Sequence, residues 1–253
     1  MSEELIRFAD WTSPVPPVER EVVSRLVEGE DQQPPLLFVP GAGHGAWAFA
    51  EHWLAHAAGR GFPAYALTPR PGGDLRAQVH DAVQVAASLP RQAVLIGHGA
   101  GALVVARALG RYPARAAVLA APRTARGATI GAALRANPVG AVPAVFGGRL
   151  RLNRRQLFNG LPAEAADAYL SKLAPAKEPR GRLPRPVGNL PVLVVGSPDD
   201  RVVSRKALER TASHYGGAPL LFPGMGHELM LDAGWAEPID AILDWLTKEL
   251  AAR

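Results

Sequence analysis

The sequence of 253 residues contains no cysteine, and this absence excludes several kinds of chemistry. Without a thiol the chain has no disulfides, no thiolate nucleophile and no thiolate metal ligands. It also lacks any uninterrupted apolar run close to the ~20 residues that cross a bilayer. Residues 1–11 carry four charged side chains, which is not the pattern of a signal peptide. We therefore expect a cytoplasmic protein that does not bind membranes.

Aromatic residues are scarce, and positive charge is concentrated in one part of the chain. Aromatic side chains make up 6% of the sequence, and the net charge is +5. Residues 123–185 hold twelve Arg or Lys against three acidic residues, a net charge of +9. Because few aromatics accompany this charge and no nucleic-acid motif is present, we expect no nucleic-acid partner. Two interpretations stay open: an ordinary solvated surface, or one that attracts an anionic small-molecule substrate or an acyl carrier.

The most informative motif of the chain lacks a nucleophile. Residues 97–101, Gly-His-Gly-Ala-Gly, follow the apolar run 93–96 and precede a helix-like stretch. In the related motif Gly-x-Ser-x-Gly, the central serine lies at a sharp turn between a strand and a helix and attacks an acyl carbon. Here the central residue is Gly99, the vacant nucleophile position. Glycine-rich turns of this kind also bind phosphate or only pack tightly, so the context must decide.

Acidic residues and a histidine follow this motif after two further apolar runs. The run 191–195 predicts a buried parallel strand, and Asp199 and Asp200 follow it. The run 219–222 predicts the last strand, and His227 follows in a glycine turn. A histidine in such a turn is often structural, but its place after an acid-bearing loop favours a role as general base. One of the two acids would hold its other ring nitrogen.

Two backbone amides are candidate donors for an oxyanion hole. Ala42 lies in the glycine-rich loop 40–47, after the predicted strand 36–39, and Ala100 lies at the start of the helix that follows Gly99. Such a loop and a helix amino terminus can direct N–H groups into one cavity. A tight structural loop would use the same glycines, so both interpretations stay open for this segment.

Four further residues near these loops are candidate substrate contacts: Gly41, His44, Trp47 and His98. Packing in the core is the alternative role for Trp47 and His98, and capping of the next helix is the alternative for His44.

Together these segments resemble the α/β-hydrolase superfamily, from about residue 36 to the final helix. The stretch 44–47, His-Gly-Ala-Trp, is similar to the hydroxynitrile lyase and methylesterase-like branch. The resemblance implies the chain order of nucleophile, acid and histidine, and it selects Asp200 as the acid because one residue and then two apolar positions follow it. The sequence departs from the family at three positions: Pro40 for a histidine, Gly99 for the serine, and Glu228 for the lysine of the lyases.

Strand-like and helix-like segments alternate, which predicts an α/β fold with a mainly parallel sheet and helices on both faces. The predicted strands are 22–27, 36–39, 64–67, 93–96, 116–120, 191–195 and 219–222, and the predicted helices are 47–58, 75–89, 102–109 and 163–173. Residues 123–185 break the alternation, and the resemblance implies that they form a helical cap over the pocket. We therefore divide the chain into a first core part, 1–122, the cap, 123–185, and a second core part, 186–253.

Three functional hypotheses follow. In the first, an enzyme uses His227 and Asp200 as a base dyad, with a backbone oxyanion hole, on a small or medium carbonyl-containing substrate, for proton transfer, elimination, cyclisation or direct attack by water. In the second, a carboxylic-ester hydrolase has lost its serine through an engineered change to Gly99. In the third, the protein binds a small apolar ligand without catalysis. We expect no organic cofactor and no metal, because the seven histidines form no supported metal site.

Overall fold

The computed structural model describes residues 14–16, 18–29, 33–123, 152–176 and 181–252. The described strands are β1 (Val22–Arg25), β2 (Leu36–Val39), β3 (Ala64–Leu67), β4 (Val94–His98), β5 (Ala117–Ala120), β6 (Val192–Gly196) and β7 (Leu220–Leu221). The described helices are α1 (Trp47–Ala50), α2 (Trp53–Gly59), α3 (Leu75–Ser88), α4 (Gly101–Ala108), α5 (Arg154–Leu157), α6 (Ala163–Ser171), α7 (Arg205–His214) and α8 (Ala236–Ala251). None of these helices is long and apolar enough to cross a membrane.

The described strands form one seven-stranded sheet in the order β1-β3-β2-β4-β5-β6-β7. Strand β1 runs antiparallel to β3, and every other neighbouring pair is parallel. Parallel strands end at the same edge of a sheet, so the loops after β2, β4, β5, β6 and β7 meet there. The register pairs Val39 with Gly97 and His98 with Ala120, which puts Gly99 just beyond the ends of the central strands.

The core covers both faces of this sheet. Strands β2, β4 and β5 are buried along their whole length, and a parallel strand is buried so completely only when both faces are covered. Helix α2 packs against α8, and α3 packs against α4. Phe38, Phe49 and Trp53 form a buried aromatic cluster with ring centroids 4.9 to 6.0 Å apart. The predicted α/β-hydrolase fold with a mainly parallel sheet is therefore confirmed.

The helix predicted over residues 47–58 is wrong in one respect, because it is divided into α1 and α2. His52 leaves the helical conformation, with φ −137° and ψ −56°. Its ring stacks on Trp235 at a centroid distance of 4.5 Å, and the indole N–H of Trp53 donates to the carbonyl oxygen of Trp235 at 3.0 Å. These contacts with a distant part of the chain override the local helical preference.

Most of the predicted cap lies between β5 and β6. Residues 124–151 and 177–180 of it lie outside the described residues. The described part 152–176 forms α5 and α6 and packs on the loops at the carboxyl edge of the sheet. The amide of Ala174 donates to the carbonyl oxygen of Gly43 at 2.8 Å, and the amide of Glu228 donates to that of Leu157 at 3.0 Å. The division of the chain into core and cap stays a prediction.

Candidate active site

The turn between β4 and α4 keeps the geometry of a nucleophile elbow around a central glycine. A Cβ on Gly97 would lie 2.5 Å from the carbonyl oxygen of Gly101, and one on Gly101 would overlap the backbone at the end of β2. Gly99 itself has a φ of +55°, a value that residues with a side chain rarely adopt. Its amide donates to the carbonyl oxygen of Ala120 at 2.9 Å, and its own carbonyl oxygen accepts from the amide of Arg123 at 2.9 Å. The turn is therefore tightly built even without a serine.

His227 and Asp200 lie in contact under this turn. Nδ1 of His227 lies 2.8 Å from Oδ2 of Asp200, and both side chains are buried. The other carboxylate oxygen of Asp200 accepts from the amides of Val202 and Val203, at 2.7 and 3.0 Å. Since the carboxylate accepts, Nδ1 carries the hydrogen and Nε2 of the neutral ring is left as an acceptor. Nε2 lies 3.4 Å from the position of a Cβ on Gly99, so it faces the vacant nucleophile position.

The two candidate oxyanion donors belong to two different loops at the carboxyl edge of the sheet. Ala100 is the residue directly before α4, and Ala42 lies in the turn after β2. Within the described residues, neither amide donates to a backbone carbonyl. Ala42 and Gly41 line the cavity described next, whereas Ala100 is not among the described residues that line it. The role of both amides as oxyanion donors stays a prediction.

A cavity of about 430 Å³ opens beside Gly99, a size in the usual range for small-molecule sites. Its wall combines polar and apolar side chains. The polar part consists of His44, His98, Arg123, His227 and Glu228, and the apolar part includes Leu152, Leu157, Leu170 and Leu173. These leucines belong to the predicted cap, so this segment supplies the apolar part of the cavity wall.

Glu228 is a buried carboxylate in this wall, and in the sequence it stands out only as a departure from a family pattern. Its side chain is 1% exposed, and its Oε2 lies 3.2 Å from Nε2 of His44 and 3.7 Å from Nε2 of His98. Among the described residues, no donor makes a well-aligned hydrogen bond to either oxygen. The contact with His44 is therefore an ion-pair contact inside the cavity wall.

The two histidines next to Glu228 have pKa values that are shifted in opposite directions. Burial lowers the pKa of His98 to about 4, in spite of the nearby Glu228 carboxylate. His98 is therefore neutral near pH 7, and its Nε2 donates to the carbonyl oxygen of His227 at 3.0 Å. Burial, the largest single effect, lowers the pKa of His44, but the charge and the side-chain contact of Glu228, together with the backbone of Ala42, outweigh it, so the pKa of His44 is raised. Burial opposes ionisation of Glu228 as well, yet the adjacent His44 holds the pKa of this carboxyl far below its usual range.

Trp47 lies behind His44 and is not among the described residues that line the cavity. Its ring stacks on that of His44 with centroids 5.8 Å apart, and on that of Tyr169 at 6.2 Å. Trp47 therefore supports a wall residue, and the predicted direct contact with substrate stays a prediction.

Two carboxylates that the sequence analysis did not assign to the site hold the loop of His227. Asp232, which is 1% exposed, accepts four backbone N–H groups at 2.6 to 2.9 Å. These donors are in Asn159, Gly160, Gly226 and Ala233. Asp199, the competing acid, accepts from the amide of Gly224 at 2.7 Å and so stabilises the turn before His227. No local pattern distinguishes Asp232, because its partners lie up to 73 residues away.

Three side chains of the described residues could in principle hold a metal ion. His98, His227 and Glu228 bring potential ligand atoms within 4.8 Å of one another. However, Nε2 of His98 is already engaged with the carbonyl oxygen of His227. His44 also brings its own positive charge to Glu228, and that charge opposes a second cation. We therefore interpret the cluster as a set of acid and base groups.

Comparisons with known proteins agree with this fold. The family model described as "Alpha/beta hydrolase family" matches residues 36–244. No curated protein matches the chain in sequence. The crystal structure of the monoacylglycerol lipase of Paleococcus ferrophilus has a TM-score of 0.68 at 17% identity, covering 92% of this chain and 100% of that one. A soluble variant of the monoglyceride lipase from Saccharomyces cerevisiae has a TM-score of 0.69 at 13% identity, covering 93% and 96%. An esterase from Exiguobacterium antarcticum has a TM-score of 0.69 at 14% identity, covering 90% and 95%.

Proposed function

Because the chain is an enzyme that belongs to the alpha/beta hydrolase family, we propose that it uses the histidine base of that family without forming a covalent intermediate. His227 and Asp200 act as a base dyad that moves protons on a small or medium carbonyl-containing substrate. The amides of Ala42 and Ala100 bind the developing negative charge on the carbonyl oxygen. Proton transfer, elimination, cyclisation and attack by an activated water are the reactions open to such a site.

The observation that supports this proposal is the open face of His227. Asp200 engages Nδ1, so Nε2 is the basic atom, and it lies 3.4 Å from where a Cβ of Gly99 would be. A substrate atom or a water can occupy that space and give its proton to Nε2. In a hydrolase with a serine, the hydroxyl would occupy it instead.

The cavity wall favours a substrate with an anionic group beside its carbonyl and an apolar body. Cδ of Arg123 lies 3.6 Å from the position of a Cβ on Gly99, which puts a guanidinium near the reacting atoms. The apolar leucines of residues 152–176 line the same cavity. A guanidinium binds a carboxylate through paired hydrogen bonds. A 2-oxo acid with an apolar side chain fits both parts of this wall.

Exchange of protons for deuterium tests the base dyad without a known natural substrate. Small 2-oxo acids, ketones and β-keto esters are incubated with the protein in D₂O, and ¹H NMR follows the loss of the proton signal next to the carbonyl. We expect the wild-type chain to accelerate this loss for compounds that fit the cavity, and His227→Gln to return it to the buffer rate. Equal rates for both proteins with every compound would contradict the proposal.

The ester hydrolase hypothesis keeps one specific observation in its favour. A Cβ on Gly99 would meet no atom closer than the 3.4 Å to Nε2 of His227, so a serine side chain fits the site in space. Its hydroxyl would then lie within hydrogen-bond reach of Nε2. Restoration of the serine at position 99 tests this hypothesis. The third hypothesis, a binding protein without catalysis, receives no support from the family, which indicates an enzyme.

A further inference from the structure

We infer that the cavity holds a second histidine–carboxylate pair, His44 with Glu228, and that His44 in its protonated form gives a proton to the substrate while His227 removes one. This inference rests on the proposed function, because it assigns the acid that complements the base. In it His44 is a catalytic residue, and Glu228 is a positioning residue that acts through His44.

The geometry supports a pair that faces the cavity. Nε2 of His44 lies 3.2 Å from Oε2 of Glu228, with side chains 7% and 1% exposed, and both residues line the same cavity as His227. The ring of His98 lies between the two candidate proton-transfer histidines, with centroids 6.0 Å from His44 and 5.0 Å from His227. Nδ1 of His44 is buried, and the backbone of Ala42 is hydrogen-bonded to this ring, so Nε2, which lies beside Glu228, is the nitrogen that gives the proton to the substrate.

The charged and titratable groups around His44 explain why it holds a proton. Glu228 is the anion in contact with it, and its charge raises the pKa of His44 against the effect of burial. Arg123 faces it from the end of β5 and opposes the proton more weakly. His98, from the end of β4, is neutral near pH 7 and adds no charge. Lys172 lies on the far side of Trp47, 5.3 Å from that ring.

A structural ion pair is the other interpretation of this contact. A buried ion pair is weak evidence of stabilisation, because removing both charges from water costs about as much as their attraction returns. A buried pair stabilises a fold only when its geometry is good and further hydrogen bonds satisfy its remaining lone pairs and protons. Here neither oxygen of Glu228 receives a well-aligned hydrogen bond from a described residue, and both residues of the pair line the same cavity as the base. These two facts favour a role in chemistry.

The proposed proton transfer conserves atoms and electrons. The C–H bond next to the carbonyl breaks, its proton goes to Nε2 of His227, and its electron pair forms the C=C bond of an enol. The carbonyl π electrons move to oxygen, which takes the proton from His44. His227 ends as the imidazolium and His44 as the neutral ring, and exchange with solvent returns both to their starting states. No oxidant, reductant or further reactant takes part.

The protonation state of His44 can be measured without a substrate. Two-dimensional ¹H–¹⁵N NMR of the histidine rings, assigned with His44→Gln, follows the ring nitrogens of the wild-type protein between pH 5 and pH 9. We expect the midpoint of His44 to lie above 6.5, the value for an unperturbed histidine. We expect Glu228→Gln to lower that midpoint and Glu228→Asp to preserve part of the shift.

The matched control is Asp240→Asn, which removes a carboxylate that lies 2.8 Å from Nε2 of His56, outside the cavity. It should leave the midpoint of His44 unchanged. A wild-type midpoint below 6.5, or one that Glu228→Gln does not move, would overturn the inference. If Glu228→Gln does not fold, the wild-type titration alone decides. A metal ion bound at one per chain in the purified wild-type protein and lost in Glu228→Gln would also overturn it.

Activity provides a separate readout. With a 2-oxo acid that the wild-type protein exchanges in D₂O, we expect His44→Gln to slow exchange about 100-fold. The wild-type rate should also fall as the pH rises through the midpoint of His44, and this fall should be absent in His44→Gln. An unchanged rate and pH profile in His44→Gln would overturn the role as acid. If the wild-type protein exchanges no compound, the proposed function fails, while the NMR titration still decides whether the pair exists.

Discussion

Gly99 affects stability and chemistry in opposite directions. A residue with a side chain at a φ of +55° costs about 1–3 kcal/mol, so glycine stabilises this turn. The same glycine removes the hydroxyl that Nε2 of His227 would activate in a serine hydrolase. Because Gly97 and Gly101 independently maintain the close packing of β4 on α4, the turn keeps its shape whichever residue is central. The identity of residue 99 therefore changes the reaction more than the fold.

Restoring serine at position 99 should create an esterase. In Gly99→Ser the hydroxyl would face Nε2 of His227, with Asp200 and the two amide donors already in place. We expect hydrolysis of p-nitrophenyl butyrate well above the wild-type rate, together with a melting temperature a few degrees lower because of the strained φ. The double variant with His227→Ala is the control and should return to background. A folded single variant without turnover would mean that the pocket is not a latent esterase.

Arg123 should select substrates by charge. Its side chain lines the cavity near position 99, so a carboxylate next to the reacting carbonyl would bind it directly. We expect Arg123→Met to slow proton exchange of 2-oxobutyrate about tenfold or more, since a charge-assisted hydrogen bond contributes roughly 1.5–3 kcal/mol. Exchange of 2-butanone, which has the same carbon skeleton without the carboxylate, should change little. A similar loss for both compounds would contradict recognition of the carboxylate.

The loops at the carboxyl edge of the sheet depend on one another through buried polar contacts. Asp232 connects the loop that carries His227 with residues 159 and 160 of the predicted cap, and Leu157 accepts from the amide of Glu228. A Cβ on Gly226 would overlap the backbone at Leu157, so the two segments touch closely. The position of the base is therefore fixed by an element far away in the sequence.

Asp232→Asn should destabilise the fold and disturb the base. The amide NH₂ of asparagine would face backbone N–H groups that now donate to a carboxylate oxygen, so buried donors lose their acceptor. We expect a loss of about 1–3 kcal/mol in the free energy of unfolding, measured by urea denaturation. Asp244→Asn is the matched control, because Asp244 is 58% exposed and pairs only with Arg60 at the surface among the described residues. An equal loss of free energy of unfolding in both variants would show that the buried contacts of Asp232 stabilise the fold no more than the exposed pair of Asp244 does.

The sequence predicted the elements of the sheet better than the cavity wall. Runs such as 36–39 and 64–67 gave the strand limits directly, because a buried parallel strand is a short apolar segment bounded by turns. The contact of His227 with Asp200 could be expected from the order of the loops. Glu228 could not, because a charged residue in a turn is usually solvated, whereas here it is buried in a cavity wall that it shares with His44, His98 and residues 152–176.

At the scale of the whole molecule, charge is distributed unevenly along the chain. Residues 123–185 carry a net charge of +9 in a chain of net charge +5, so the rest of the chain is net negative. Some of this positive charge is paired on the surface: Arg154 lies 3.2 Å from Asp167, and Lys172 lies 3.5 Å from Glu51. Exposed pairs of this kind contribute little to stability. An anionic substrate and an acyl carrier both stay predictions, beside the interpretation of this charge as an ordinary solvated surface.

The pair of His44 and Glu228 should also make the stability of the whole molecule depend on pH. The pKa of His44 is raised in the folded protein. Its contribution to the free energy of unfolding is therefore complete below about pH 6.5, the pKa in the unfolded chain, and is lost as the pH rises through the pKa in the folded protein. The lowered pKa of Glu228 means that its contribution is present above about 4.5 and is lost as the pH falls below that value. The pair therefore stabilises the fold most between about pH 4.5 and 6.5.

We expect the wild-type protein to exceed Glu228→Gln in free energy of unfolding by more at pH 5.5 than at pH 9, as measured by urea denaturation at both values. Asp244→Asn, which removes an exposed carboxylate instead, should show no such dependence. A difference that is the same at both pH values, or larger at pH 9, would mean that His44 is neutral in the folded protein and that Glu228 stabilises the fold without it.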